Sequence, residues 1–251
     1  MSQVVKLSVN VNKVATLRNA RGGAVPSVVD AASVAIDAGA AGITVHPRSD
    51  ARHITVQDVT ELAALLRPLR GQVEYNIEGD PRPDLLDLVH RIRPDQCTLV
   101  PVAPGEVTSQ AGWPADTPAE WFRTVVRDLQ SHGVRVSIFV DANEAAVEWA
   151  ARMGGDRVEL YTEPYARQFS QGPAAAAASF HAYALAAKRA HELGLGVNAG
   201  HDLDLDNLVL FRALPHLAEV SIGHALVSRA IFVGLARTVR EYVAVLQGTK
   251  G

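Results

Sequence analysis

The sequence predicts an α/β fold, a closed (β/α)8 TIM barrel forming one domain over residues 1–251, with long loops at the C-terminal ends of its parallel strands. Three observations lead there. Eight short apolar, β-branched blocks alternate with segments of helical periodicity along the whole chain. The order helix, glycine, strand recurs in DAGAAGITV, QSHGVRVSIF, ARMGGDRVEL and HELGLGVNAG, where glycine stops a helix and lets a strand begin. No linker rich in Pro, Gly or Ser divides the 251 residues, a length that one α/β barrel commonly fills. An open doubly wound sheet should carry a glycine-rich phosphate loop after its first strand, and NVNKVATLRNARGG has neither GxGxxG nor GxxxxGK.

Taken in order, the strands are expected at VVKLSVNV (4–11), GITVH (42–46), QVEYNIE (72–78), QCTLVP (96–101), RVSIFVD (135–141), RVELYTE (157–163), GVNAG (196–200) and EVSIGH (219–224). The first amphipathic helix is PSVVDAASVAIDAG, with Pro26 suited to its first turn and Gly39 to its stop. TVQDVTELAALLRPL, RPDLLDLVHRIRP, TPAEWFRTVVRDLQSHG, NEAAVEWAARMGG, FHAYALAAKRAHELG, LDNLVLFRALP and one long final helix, ALVSRAIFVGLARTVREYVAVLQG, follow. Two connections exceed ordinary loop length, 101–118 and 163–179; both leave the C-terminal end of a strand, where binding loops belong, although Ala174 to Ala178 reads as the start of a helix.

Composition excludes several function classes. With 24 basic and 27 acidic residues, net charge −3 and no run of like charges, neither nucleic acid nor a membrane surface has an electrostatic footprint. No apolar stretch is long enough for a transmembrane helix, and the N-terminus lacks the pattern of a signal peptide. A single cysteine, Cys97, fits a cytoplasmic location and a buried, unreactive role.

Polar residues gather where the strands end. The stretch GITVHPRSDARH places His46, Arg48, Arg52 and His53 together, an anion grip beside a proton-transfer group. The first strand ends in Asn10, Asn12 and Lys13, with Arg18 and Arg21 beyond; the sixth carries Glu159 and Glu163, the seventh Asn198 and His201, and the eighth Gly223 and His224. On the third strand Glu74, Asn76 and Glu78 share one side, because side chains alternate with period two. A carboxylate desolvated there would have a raised pKa and could carry protons near neutrality. NAGHD and SIGHA put glycine-exposed N–H groups near a helix start, an anion cradle of the kind barrels place after strands seven and eight. Arg18, Arg21, Arg48 and Arg52 offer a second anion site, so two phosphorylated substrates or one bisphosphate are expected. Four histidines sit at strand ends; His90, His132, His181, His191 and His216 are assigned to solvated or packing roles.

VNVNKVATLRNARGG, GITVHPRSDARHIT, VEYNIEG, LVP followed by EVTSQAGW, VELYTEPYA, VNAGHDL and SIGHALVSRAIFVGL, in that order from first strand to final helix, resemble the pyridoxine 5′-phosphate synthase family of vitamin B6 biosynthesis. The resemblance implies a cofactor-free barrel that condenses 3-amino-2-oxopropyl phosphate with 1-deoxy-D-xylulose 5-phosphate, releases phosphate and water, and assembles into homo-oligomers, octamers among them. It implies His46 and Glu74 as proton acceptors, His201 as proton donor and Glu159 as stabiliser of a charged intermediate. Asn10 and Arg21 would bind the amino-ketone phosphate with the Gly223–His224 turn, and Arg48, His53 and Thr108 the ketose phosphate. The chain departs from many members at Asn12 and Lys13, where those have Asp-His, at Asp202, where those have glycine, and at VAPG, which replaces a basic patch. We assign Asn12, Lys13 and Asp202 to substrate binding. Two other readings remain open: a metal-dependent sugar-phosphate epimerase or aldolase with His46, Glu74, Glu159 and His201 as ligands, and a non-catalytic sensor of phosphorylated metabolites.

Overall fold

A computed structural model describes residues 4–102 and 109–249. The chain runs β1 (Lys6–Asn10), α1 (Asn12–Asn19), α2 (Val28–Asp37), β2 (Gly42–Val45), α3 (Val56–Leu66), β3 (Glu74–Gly79), α4 (Pro83–Ile92), β4 (Gln96–Leu99), α5 (Ala119–Ser131), β5 (Arg135–Val140), α6 (Glu144–Met153), β6 (Arg157–Leu160), α7 (Glu163–Phe169), α8 (Pro173–Glu192), β7 (Gly196–Ala199), α9 (Leu208–Phe211), β8 (Leu217–Ile222), α10 (His224–Val233) and α11 (Leu235–Gln247). The eight strands pair in sequence order, all parallel, and β1 closes on β8 with Leu7 opposite Val220. That pairing decides for the barrel over the open sheet.

Helix ends follow local chemistry. Ser27, not Pro26, caps α2, its hydroxyl accepting from the Asp30 N–H; the proline lies one residue before the cap. Thr55 and Asp58 form a reciprocal capping box on α3. The helix start expected at Ala174 to Ala178 is found, in α8, but the rest of the stretch 163–179, expected as a loop, is mostly α7, because Glu163, Pro164 and Tyr165 begin a helix two residues after β6. The final helix, expected as one piece, breaks at Gly234, whose φ of +88° is left-handed.

The outer wall is apolar and well packed: Ile43, Val45, Ile77, Leu99, Ile138 and Val158 on the strands are fully buried against Val59, Leu62, Leu85, Phe122, Leu129 and Val147 on the helices. Inside the barrel the residues are polar, where such barrels usually carry branched apolar side chains. Ser8 Oγ lies 2.7 Å from Thr44 Oγ1, Asn76 donates to Thr44, and Thr98 donates to Asn76 at 3.0 Å, forming a hydrogen-bonded belt across four strands. Below it, towards the N-terminal ends, stand Glu74, Arg135, Arg157 and Glu219; above it lies the mouth where strand-end residues meet.

Candidate active site

A cavity of about 300 Å³ opens at the C-terminal ends of the strands. Asn10, Asn12, Lys13, His46, Arg48, His53, Glu159, His201, Asp202, Gly223 and His224 all line it, as does Arg52. Arg21 is exposed beyond the end of α1 and is not among the lining residues. Thr108 lies outside the described residues, although Ser109, next to it, reaches the cavity and donates to the Pro101 carbonyl.

Glu74 is the largest departure from expectation. It shares the inner side of β3 with Glu78, but it opens the strand rather than closing it, and its carboxylate pairs with Arg135 at 2.5 Å below the polar belt. Glu78, four residues on, is the β3 carboxylate that lines the cavity. Its Oε2 stands 3.9 Å from His46 Nδ1 and accepts a 3.4 Å hydrogen bond from Asn10 Nδ2. Period-two alternation identified the correct side of the strand; it carried no information about depth along the barrel axis.

His46 follows the last residue of β2 and is almost entirely buried. Burial, reinforced by the nearby His53, Arg48 and Arg82, lowers its pKa to about 3, so the imidazole is neutral near neutral pH, with a lone pair free to accept a proton. Its backbone N–H donates to Asn12 Oδ1 at 2.9 Å, while the Asn12 N–H donates to Asn10 Oδ1 at 3.0 Å. Asn12 therefore ties the end of β1 to the end of β2. Arg82 adds a brace that the sequence did not reveal, donating to the Pro47 carbonyl at 2.5 Å between His46 and Arg48.

Two buried carboxyls share the cavity with this imidazole. Burial raises the Glu78 pKa well above the carboxylate range, and the neighbouring Glu159 and Glu219 push it further. Burial also raises Glu159, to about 7, with His201 pulling in the opposite direction. Two acids so perturbed in one cleft, beside a neutral imidazole, have the staggered affinities that successive proton transfers need.

His201 follows β7 and is held from both sides. Thr162 donates from its hydroxyl to the His201 carbonyl, and Asn207 Nδ2 donates to the Asp202 carbonyl at 3.1 Å. His201 Nδ1 lies 2.6 Å from Asp202 Oδ2. The hydrogen bond with His201 keeps the Asp202 carboxyl below the usual range, hence ionised, and an ionised carboxylate only accepts, so Nδ1 carries the proton. Asp202 sits at φ +63°, a left-handed conformation that aspartate tolerates better than most residues and glycine best.

Anion-binding groups surround these centres. Gly223 caps α10 and faces the cavity with His224; a Cβ there would sit 3.1 Å from Asn10 Cβ and the Asn10 carbonyl oxygen, so glycine keeps the helix N-terminus open. Gly200 lies closer still to its neighbour, where a Cβ would fall 2.0 Å from the Ser221 carbonyl oxygen. Across the mouth are Lys13, Arg48 and His53. His53 Nδ1 accepts from the Ile54 N–H at 2.9 Å, which leaves Nε2 to carry the proton of the neutral ring. Burial, helped by Lys13, lowers the His53 pKa to about 4. Arg18, expected at the anion site, is engaged elsewhere: it forms a two-pronged ion pair with Asp58 and donates to the His53 carbonyl at 3.3 Å. It positions His53.

Cys97 is free and fully buried, with a pKa raised to about 12 by burial, in keeping with an unreactive role. Among the described residues no helix is long and apolar enough to cross a membrane.

Comparison with known proteins shows the family. The chain is 52% identical over 240 residues to a protein named pyridoxine 5′-phosphate synthase from Bacteroides fragilis, covering 95% of this chain and 98% of that one. It is 48% identical over 245 residues to the protein of that name from Christiangramia forsetii, covering 97% of this chain and all of the relative. The phosphoribosyl anthranilate isomerase of Thermotoga maritima superposes with a TM-score of 0.61 at 12% identity, covering 97% of this chain and 99% of that one, which shows the shared barrel fold. The profile of one family, described as pyridoxal phosphate biosynthesis protein PdxJ, matches residues 7–248, nearly the whole chain, and the chain belongs to that family.

Proposed function

We propose that this protein is a pyridoxine 5′-phosphate synthase, joining 3-amino-2-oxopropyl phosphate to 1-deoxy-D-xylulose 5-phosphate with loss of phosphate and water. One observation carries the reading: neutral His46, 3.9 Å from Glu78, shares a cavity with Glu159 and with the His201–Asp202 pair, and anion-binding groups flank it on two sides. Imine formation, dehydration, phosphate loss and ring closure all require protons to be taken up and returned, and these groups can do so without a cofactor.

In this reading His46 accepts a proton and Glu78 relays it, replacing Glu74, whose place below the polar belt suits electrostatic support of the charges above. His201 donates through Nε2 while Asp202 holds its other nitrogen. Glu159, when ionised, stabilises a cationic imine. The α10 N-terminus with Gly223, His224 and Asn10 takes one phosphate, and Lys13, Arg48 and His53 take the other. Arg21 joins only through rearrangement of the chain around it. Mixing both substrates with purified protein and following pyridine absorbance tests the function; no pyridine product, or binding of one phosphate without turnover, overturns it in favour of a sensor.

The metal-dependent alternative draws no support from the geometry. Among the described residues, His46, Glu74, Glu159 and His201 do not bring ligand atoms within 4.8 Å of one another, whereas one group on the outer helices does. Cytoplasmic action is supported by the lone buried cysteine. A homo-oligomer of this chain, octameric as the family resemblance implies, is supported by Ile231 and Phe232, 71% and 87% exposed at the end of α10. Light scattering of the purified chain checks it, and a monomer at micromolar concentration refutes it.

A further inference from the structure

His90, in the last turn of α4, and Asp128 and His132, one turn apart at the end of α5, meet among the outer helices, and none of the three lines the active-site cavity. One ligand atom from each lies within 4.8 Å of the others. His90 Nε2 is 2.8 Å from Asp128 Oδ2, yet that nitrogen has no hydrogen-bond partner, so the contact lacks the direction of a hydrogen bond. The two imidazoles stack with centroids 4.3 Å apart and planes inclined by 29°. His132 Nδ1 is 2.9 Å from the Asp128 carbonyl oxygen. A ring that donates from Nδ1 to a backbone carbonyl presents its Nε2 lone pair outward, the arrangement that orients metal-ligating histidines. The three side chains are between 27% and 41% exposed while His90 Nε2 itself is buried, so an ion enters as the His90–Asp128 contact opens and keeps water on its remaining positions.

We propose that His90, Asp128 and His132 form a binding site for a divalent transition-metal ion, with zinc the natural occupant, and that the ion staples α4 to α5. Two imidazoles and one carboxylate suit zinc and its neighbours; magnesium and calcium prefer all-oxygen sites. Tetrahedral zinc ligands at about 2.0–2.1 Å stand about 3.4 Å apart. The His90–Asp128 pair must open slightly and His132 swing inward to reach that spacing, which half-exposed side chains can do. The two helices follow β3 and β4, so the staple ties the α-layer outside Glu78 without contacting substrate.

The test is isothermal titration of the untagged full-length protein with zinc chloride, paired with thermal unfolding. The expected result is one zinc per chain at micromolar affinity, a Tm higher by several degrees with zinc, and no comparable effect of magnesium. His132→Gln and Asp128→Asn should each weaken binding at least tenfold and remove the Tm gain while leaving the zinc-free Tm near wild type. His191→Gln, in the other stacked histidine pair, should bind as wild type does. Absence of zinc binding by the wild type, or equal affinity in His132→Gln and Asp128→Asn, overturns the proposal. If Asp128→Asn unfolds, His132→Gln, at the helix cap, decides.

Discussion

Replacing Glu78 and Glu74 by glutamine, one at a time, separates the two carboxylates of β3. Glu78 stands 3.9 Å from His46 with its side chain 11% exposed, so Glu78→Gln removes a proton carrier from the reacting centre while keeping the shape and the Asn10 contact. Loss of one general acid or base costs about 10²–10⁴ in rate, a barrier change of about 3–5 kcal/mol. KM should change little, because Glu78 grips neither phosphate, and Tm should hold or rise, since a buried carboxyl no longer risks ionising. Glu74→Gln does something different. It breaks the 2.5 Å pair with Arg135, whose side chain is 31% exposed. Breaking a fully buried pair costs about 3–5 kcal/mol, but solvent access at Arg135 reduces that to about 1–2 kcal/mol. Tm should fall by about 2–8 °C while kcat stays within about tenfold of wild type. Steady-state kinetics by pyridine absorbance and a melting curve on each variant suffice. Wild-type kcat in Glu78→Gln, together with a hundredfold loss and an unchanged Tm in Glu74→Gln, would refute the assignment and return the proton acceptor to Glu74.

Three further outcomes follow from the same geometry. Because Glu159 must be ionised to stabilise a cation and titrates at about 7, kcat should rise with pH through a limb near 7, and Glu159→Gln should abolish the limb as well as most of the rate. The folded protein holds that proton from the ordinary carboxyl value of 4.5 up to about 7, so stability falls as pH rises through this window. The cost above it is on the order of 3 kcal/mol, and Glu159→Gln should melt about 6–12 °C higher than wild type at pH 8, with no gain at pH 4. Asp202→Gly relieves the left-handed backbone but frees His201, so Tm should hold or rise while kcat drops by about tenfold or more; unchanged kcat would leave Asp202 without a positioning role. Asp58→Ala removes both the α3 capping box and the partner of Arg18, two buried interactions together worth about 3–5 kcal/mol. Calorimetry should show a lower Tm, and KM for the ketose phosphate should rise as His53 loosens; a melting curve like the wild type's would contradict this.

Much of the molecule was legible in residue order because backbone geometry repeats over short distances. Short apolar, β-branched blocks marked all eight strands, and period two put Glu74, Asn76 and Glu78 on one side; period 3.6 and glycine stops marked most helices. Where a helix begins two residues after a strand, as at Glu163, or breaks at one glycine, as at Gly234, the local signal was ambiguous and the expected elements differed from those found. Strand-end positions brought His46, Glu159, His201 and Gly223 to one mouth before any distance was known.

Barrel closure decided the rest. Parallel register and strand tilt set the height of each inward side chain, which is why Glu78 reaches the cavity and Glu74 meets Arg135 below. The guanidinium of Arg18 could have bound a phosphate; instead Asp58, forty residues away, claims it. His90 and His132 lie on separate helices and meet because those helices are adjacent in the outer ring. The sequence by itself determined the eight strands, most of the helices and which residues face inward, because these depend on near neighbours along the backbone. Only the tertiary structure decided depth, partner and pKa, because these depend on groups brought together by closing the sheet.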